Sequence, residues 1–163
     1  IGDYRFLCDA DLSMPIHEIY KFLPPLSNSD IVLGSREISG SIRYNEPYAR
    51  HVIGRMFNLL VRLLILPQLK DTQCGFKCFT GIVAEDIFNY QMLGGWAFDV
   101  EVLHIAKLRG YSIREVPISW YYKNNSKVNP INDSITMFKE ILQIRRYARE
   151  GKYYKPDFLS KER

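Results

Sequence analysis

Two aspartates separated by one residue, Asp9 and Asp11 in FLCDADLS, stand where an apolar run ends. An extended chain alternates its side chains, so both carboxylates would share one face. Like charges held that close repel unless a cation or a proton lies between them. The pair reads either as two solvated loop acids or as a grip on a divalent ion. A second group of residues suits anionic chemistry. Between Leu33 and Lys70, six basic residues (Arg36, Arg43, Arg50, Arg55, Arg62, Lys70) face only Glu37 and Glu46. Glycines and serines surround Arg36 and Arg43 in GSREISGSIRYNEP, the composition of a mobile loop after a strand. Arginine forks onto phosphate oxygens. Acids at one strand end with arginines nearby suit a phosphate-rich ligand neutralised from both sides.

The elements that must position these groups are legible as an alternation. Strand-like runs cover 4–8, 30–33, 74–79 and 111–117, and helical periodicity fits 15–22, 47–66, 82–91, 98–109 and 131–149. Ser13 is placed to cap a helix that Pro15 opens, and Gly110 stands where a helix C-terminus favours glycine. Such a pattern implies an α/β domain with a mostly parallel sheet flanked by helices, and ligands gather beyond the carboxyl ends of such strands. At 163 residues, 47% of them hydrophobic, the chain suits one domain with a real core.

Charge is uneven. Residues 139–163 hold eight Lys/Arg against four Asp/Glu, while the first 138 residues are balanced. This basic tail also carries Tyr147, Tyr153 and Tyr154, and a mixture of aromatic and basic residues suits a lipid headgroup layer as well as a solvated helix end. No recognition fold accompanies it, which argues against nucleic acid. Helix 47–66 is stranger. At 100° per residue His51, Arg55, Asn58 and Arg62 fall in a stripe about 60° wide, and apolar residues fill most of the remainder. The helix is either sunk in the core or laid with its apolar flank in a bilayer interface; its arginines favour the interface. No apolar run reaches the ~18 residues of a spanning helix. Cys8, Cys74 and Cys78 lack zinc spacing and read as reduced, buried thiols of a cytosol-facing protein.

DADLS, GSR, DTQCGFKCF and WAFDVEVLHIAKLRGYSIREVPISW, followed by NNSKVNPINDS, occur in an order that resembles the family 2 glycosyltransferases that load sugars onto polyprenyl phosphate, of the dolichyl-phosphate glucosyl- and mannosyltransferase kind. The resemblance implies a GT-A fold, a nucleotide sugar donor (UDP-glucose rather than GDP-mannose), a Mg²⁺ or Mn²⁺ ion and an inverting single displacement. It implies that Asp9 and Asp11 hold the metal, with Ser13 as a further ligand. It assigns Arg36, joined by Arg43, to the lipid phosphate, and places Asp71 and Gln73 between donor and acceptor. Asp99 would lie near the sugar, or else act only as an acid at a helix N-terminus. Lys127 would face phosphate. The family sets a nucleotide-binding half ahead of the D-x-D pair, whereas five residues precede Phe6 here. The chain is therefore expected to be a fragment without much of the donor pocket, with a catalytic portion over 1–146 and the basic aromatic tail over 147–163. Its expected place is the cytoplasmic face of a membrane, held there by helix 47–66 and the tail.

Two other readings fit parts of the pattern. Haloacid-dehalogenase-like phosphatases also open with an apolar strand and D-x-D, the first Asp acting as nucleophile, but need a downstream Gly-Asp pair that this sequence lacks. A non-catalytic fragment that docks on anionic lipid through Arg55, Arg62 and the tail is the other.

Overall fold

A computed structural model describes residues 2–25, 27–123 and 130–154. Strand β1 (Tyr4–Cys8) leads through a tight turn into a 3-10 helix (Ile16–Phe22). There follow β2 (Ile31–Ser35), β3 (Ile42–Tyr44), α1 (Tyr48–Leu64), β4 (Phe76–Thr80), α2 (Gly81–Phe88), α3 (Phe98–Leu108), β5 (Ile113–Pro117), β6 (Ser119–Tyr121) and α4 (Pro130–Arg149). Four strands form one sheet in the order β1-β4-β2-β5, and β3 pairs with β6 beside it.

The expected mostly parallel sheet is corrected. β4 runs antiparallel to both β1 and β2, and only β2 and β5 are parallel within the main sheet. Phe76, Lys77, Cys78 and Phe79 are all buried, as befits a strand covered on both faces. Burial of that kind is silent about direction, so strand polarity was not readable from it. The reversal has a consequence for the site. Cys8 lies opposite Phe76, and Leu33 opposite Lys77, so the ends of β1 and β2 and the start of β4 meet at one edge of the sheet. Ser35 opposite Pro117 brings the end of β5 there too.

Helix α3 buries Val100, Val102, Leu103, Ile105 and Ala106 in the core. At its far end Arg109 forks onto Asp86 of α2 at 2.6 and 2.7 Å. At its start, the Ala97 amide donates to Glu140 of α4 at 2.8 Å, a carboxylate at a helix N-terminus where the dipole favours it. A Cβ on Gly95 would lie 1.8 Å from that carboxylate, so glycine leaves the Glu140 carboxylate its place. Helix α4 runs through the expected boundary at 146/147 as far as Arg149. Beyond it Tyr153 is fully buried and its hydroxyl donates to Glu101 at 2.6 Å. Tyr153 is thus a core residue and not part of a lipid-facing tail; residues 155–163 lie outside the described residues.

Helix α1 packs a narrow apolar face on the core: Val61 is buried, and Phe57, Leu60 and Leu64 are partly buried against it. A second apolar flank is left outward, with Met56 69% and Leu63 75% exposed and Tyr48, Ile53 and Leu59 exposed beside them. The polar stripe of His51, Arg55, Asn58 and Arg62 lines a groove of about 640 Å³ together with Glu37, Lys70 and the apolar Val52, Met56 and Leu59. The helix is thus not sunk in the core: one face packs on it, and an apolar flank stays exposed.

His104, half-buried on α3, has no hydrogen-bond partner for Nδ1 and meets Tyr153 edge-on at 6.3 Å. Burial, then the charge of Lys107, depresses its pKa from 6.5 to about 4. The unfolded chain therefore takes up a proton near pH 6.5 that the folded chain refuses until about pH 4. Stability should fall with acidification across that window by up to ~3 kcal/mol, and His104→Phe should flatten the fall. Urea titrations from pH 7 to pH 4 check this; an equal slope in the variant would refute it.

Candidate active site at one edge of the sheet

The Asp9 amide extends the β1–β4 ladder by donating to the Gly75 carbonyl at 3.1 Å. The chain then turns instead of continuing extended: the Leu12 amide returns to the Asp9 carbonyl at 3.3 Å, and Leu12 adopts φ 53°. A left-handed conformation is unfavourable for a branched side chain, so this turn is held by its surroundings. Asp11 is fixed from within the turn. Its two oxygens accept from the Ser13 amide at 2.8 Å and the Ser13 hydroxyl at 2.7 Å. Asp9 and Asp11 are brought together by this turn and not by strand alternation.

Asp9 lies over Gly75. A Cβ on Gly75 would stand 1.9 Å from its carboxylate oxygen, so only glycine leaves the carboxylate that place. The residue is exposed as a whole, yet its carboxyl is tucked against backbone. That partial burial, then the charges of Asp99 and Asp11, hold its pKa above the ordinary carboxylate value, while Lys77 and Arg36 pull the other way. Like charges converge here with incomplete compensation.

The opposing cations are tied down. Arg36 follows β2 and forks onto Asp71, Nε to Oδ2 at 2.8 Å and Nη2 to Oδ1 at 2.9 Å, while its own amide also reaches Oδ2 at 2.9 Å. Burial alone would lower the pKa of Arg36, but Asp71 outweighs it and holds the guanidinium firmly charged. Burial likewise would raise Asp71, and Arg36 reverses that. The guanidinium also stacks on Trp120 at 5.4 Å. Two of its five N–H groups are committed to Asp71.

Of the residues singled out in the sequence, Asp9, Asp11, Asp99, Arg36 and Asp71 meet at this edge. Ser13 is 4% exposed and gives its hydroxyl proton to Asp11, which places it behind that carboxylate as its support. Arg43 lies within the loop and is engaged by Glu37 and, at 2.7 Å, by Glu46; its Nε donates to the Arg36 carbonyl at 3.2 Å. It braces the backbone of Arg36 from behind. Gln73 is half-buried two residues from Asp71. Lys127 lies outside the described residues. Three residues were missed. Lys77 is a charged residue inside a buried strand, which is the signal that marks it. Gly75 and Trp120 carry no local signal, because their roles depend on Asp9 and Arg36 arriving from elsewhere. Cys74 and Cys78 are buried, and burial pushes both thiols up to about 12, so they are inert fillers of the core.

Among the described residues no group of three or more His, Cys, Asp and Glu side chains is arranged to hold a metal ion by itself. Asp9 and Asp11 nevertheless suit a hard cation. They offer oxygen donors in a locally negative field, and Mg²⁺ is commonly held by one or two carboxylates with substrate phosphates completing the shell.

No family model matches the chain. The dolichyl-phosphate β-glucosyltransferase of Dictyostelium discoideum is 33% identical over 151 residues, covering 88% of this chain and 46% of that protein. Its namesakes in Saccharomyces cerevisiae and Homo sapiens are 31% and 32% identical, each covering 88% of this chain and 47% of their own length. The chain thus spans about half the length of the curated relatives it matches. Among solved structures, glucosyl-3-phosphoglycerate synthase from Mycobacterium tuberculosis, in complex with UDP, superposes with a TM-score of 0.60 at 16% identity, over 88% of this chain and 50% of that one. That likeness places the fold among the GT-A glycosyltransferases.

Gly75→Ala should expel the Asp9 carboxylate while leaving the sheet intact. The Asp9 carboxyl, followed by ¹³C NMR, is expected to titrate above the ordinary range in the native chain and to return toward about 3.9 in the variant. The melting temperature should change little. An unshifted titration would remove Gly75 from the site.

Proposed function

We propose, for a chain related to the dolichyl-phosphate β-glucosyltransferases of glycosyltransferase family 2, that it carries the metal- and acceptor-side machinery for moving a hexose from a nucleotide sugar to dolichyl or another polyprenyl phosphate. UDP-glucose is the favoured donor, since the relatives named above are glucosyltransferases and the structural neighbour was solved with UDP. The observation that carries this reading is the convergence, at one sheet edge, of the Asp9–Asp11 pair with an Arg36 guanidinium that keeps N–H groups uncommitted.

The residues divide the work by charge. Asp9 and Asp11 would hold Mg²⁺ or Mn²⁺, and the bound ion would supply electrophilic stabilisation of the departing nucleoside diphosphate. Ser13 keeps Asp11 in its rotamer, and Gly75 keeps room for Asp9. Arg36, locked by Asp71 and Trp120, presents its remaining N–H groups to an anion at a fixed angle, as forked recognition of phosphate requires. The acceptor phosphate is already an anion, so a strong general base is not required. What the site must supply is orientation of two anionic groups that repel each other. Inversion follows if the acceptor oxygen attacks the sugar carbon opposite the leaving diphosphate in one displacement.

Helix α1 supports a second part of the reading. Its exposed Met56, Leu59 and Leu63 would enter the interfacial layer, while Arg55, Arg62 and Lys70, in the groove that Met56 and Leu59 also line, would meet phosphate headgroups. Among the described residues no helix is long and apolar enough to cross a membrane, so attachment through this part of the chain would be peripheral. We place it on the cytoplasmic face.

Two experiments test these statements. In the complete gene product, UDP- and GDP-sugars are offered with Mg²⁺ or Mn²⁺ and a short polyprenyl phosphate. UDP-glucose should be preferred, chelator should stop transfer, and Asp9→Asn or Asp11→Asn should each lower kcat/KM by roughly 10²-fold or more. Normal turnover in the Asn variants would end the reading, and release of inorganic phosphate from simple esters would favour a phosphatase. Separately, Met56→Glu with Leu63→Glu should abolish co-sedimentation with anionic liposomes without lowering the melting temperature. Equal binding would leave α1 without a membrane role, and binding with no transfer in any assay would favour the docking fragment.

A further inference from the structure

Lys77 has no exposed surface at all, an uncommon state for a lysine unless it is paired. Its ammonium donates to the Cys74 carbonyl at 2.6 Å and to Asp99 Oδ1 at 2.6 Å. It enters from β4, whose preceding residues supply Gly75 beneath Asp9, and it reaches the first turn of α3, where Asp99 sits. Among the described residues the ammonium is therefore the one fully buried cation set against an acidic cluster contributed by three parts of the chain. Arg36, the other cation that Asp9 feels, is already committed to Asp71.

An ammonium in that place could be only a strap between β4 and α3. The charges around it suggest more. Asp9, Asp11 and Asp99 would together carry one negative charge more than a divalent ion can neutralise, and any excess would repel an incoming diphosphate. We propose that Lys77 is a positioning residue for the transfer read above: by seizing Asp99 it removes that carboxylate from the cation's reach, so that Asp9 and Asp11 alone set the charge offered to the cation and the diphosphate. Asp99, so held, keeps its second oxygen, Oδ2, for a neutral hydrogen-bonding partner such as a sugar hydroxyl. The inference rests on the cation reading of Asp9 and Asp11, and its test is arranged to separate the two.

Mn²⁺ binding to the complete gene product is measured directly, from the electron paramagnetic resonance of the free ion, without nucleotide and with UDP. The native protein should bind Mn²⁺ weakly alone and more tightly with UDP. Lys77→Met frees Asp99 and should tighten nucleotide-free binding by about tenfold while shrinking the gain from UDP. Asp99→Asn leaves the ammonium uncompensated and should weaken nucleotide-free binding by about the same factor. Lys77→Met with Asp99→Asn should return it to near the native value, and Lys77→Arg should remain near native throughout. A plain strap predicts otherwise: both single variants weaken binding, and the double variant is no better than the worse single. That pattern overturns the proposal. If Lys77→Met does not fold, the comparison of Asp99→Asn with the double variant decides the sign, because the double must bind the ion more tightly than Asp99→Asn alone. If the native protein takes up no Mn²⁺ even with UDP, it is the cation reading that has failed, and this inference falls with it.

Discussion

Carboxylates that repel one another are gathered at one edge of a sheet, and most of the local structure is organised to tolerate that repulsion. The opposition is visible in the Asp9 carboxyl, which partial burial, then Asp99 and Asp11, push up and Lys77 and Arg36 pull down. Most of these groups are held by a second contact: Asp11 by Ser13, Lys77 by the Cys74 carbonyl and Arg36 by Asp71, while the Asp9 carboxylate occupies the space that Gly75 leaves open. On the reading proposed above, a ligand that brings a cation would offset the like charges that remain.

The same edge could not exist with an all-parallel sheet of these four strands. Antiparallel β4 presents its first residues, not its last, beside the ends of β1 and β2. Gly75 and Lys77 thereby become neighbours of Asp9, and the preceding Asp71 becomes the partner of Arg36. The sequence marked the strand runs, the helix runs and the residue types correctly, because hydrophobic periodicity and the D-x-D, GSR and DTQCGFK stretches are local. It could not mark direction, since a strand buried on both faces looks the same read either way. For that reason Asp9, Asp11, Arg36 and Asp99 were legible one by one and Lys77 was marked only as a charge inside an apolar strand, while Gly75 and Trp120 carried no local signal. β3 and β6, at three residues each, were too short to register as periodic, yet β6 delivers Trp120 beneath Arg36.

The arginine loop was legible in composition and misleading in detail. Six basic residues suggested a field of free phosphate ligands, but the structure pairs much of that charge with acids. Arg43 is clasped by Glu37 and Glu46, and Arg55 meets Glu37 at 2.5 Å. His51 Nδ1 meets Glu46 at 2.9 Å, so the start of α1 is stitched to the loop after β2 by the Arg55–Glu37 ion pair and by this imidazole–carboxylate contact. Paired charges of this kind contribute little to stability where they are exposed, but a network with shared partners fixes orientation. What it orients is the backbone carbonyl of Arg36 on one side and the helix on the other.

That coupling gives the exposed flank of α1 its meaning. Apolar side chains left facing water over several turns mark a surface that something covers. The flank and the groove-lining stripe of His51, Arg55, Asn58 and Arg62 make sense together if an apolar layer covers the one and the other must stay registered with Arg36. A lipid-borne phosphate has that shape, with its chain held in the interface and its headgroup a short distance below. On that reading the charge network would link the depth of α1 in an interface to the angle at which Arg36 meets the anion. Donor charge would be managed by the acid cluster from one side of the sheet edge and acceptor charge by the arginine loop from the other. Arg36 belongs to both groups, because it is fixed by Asp71 and braced by Arg43 while its field reaches Asp9.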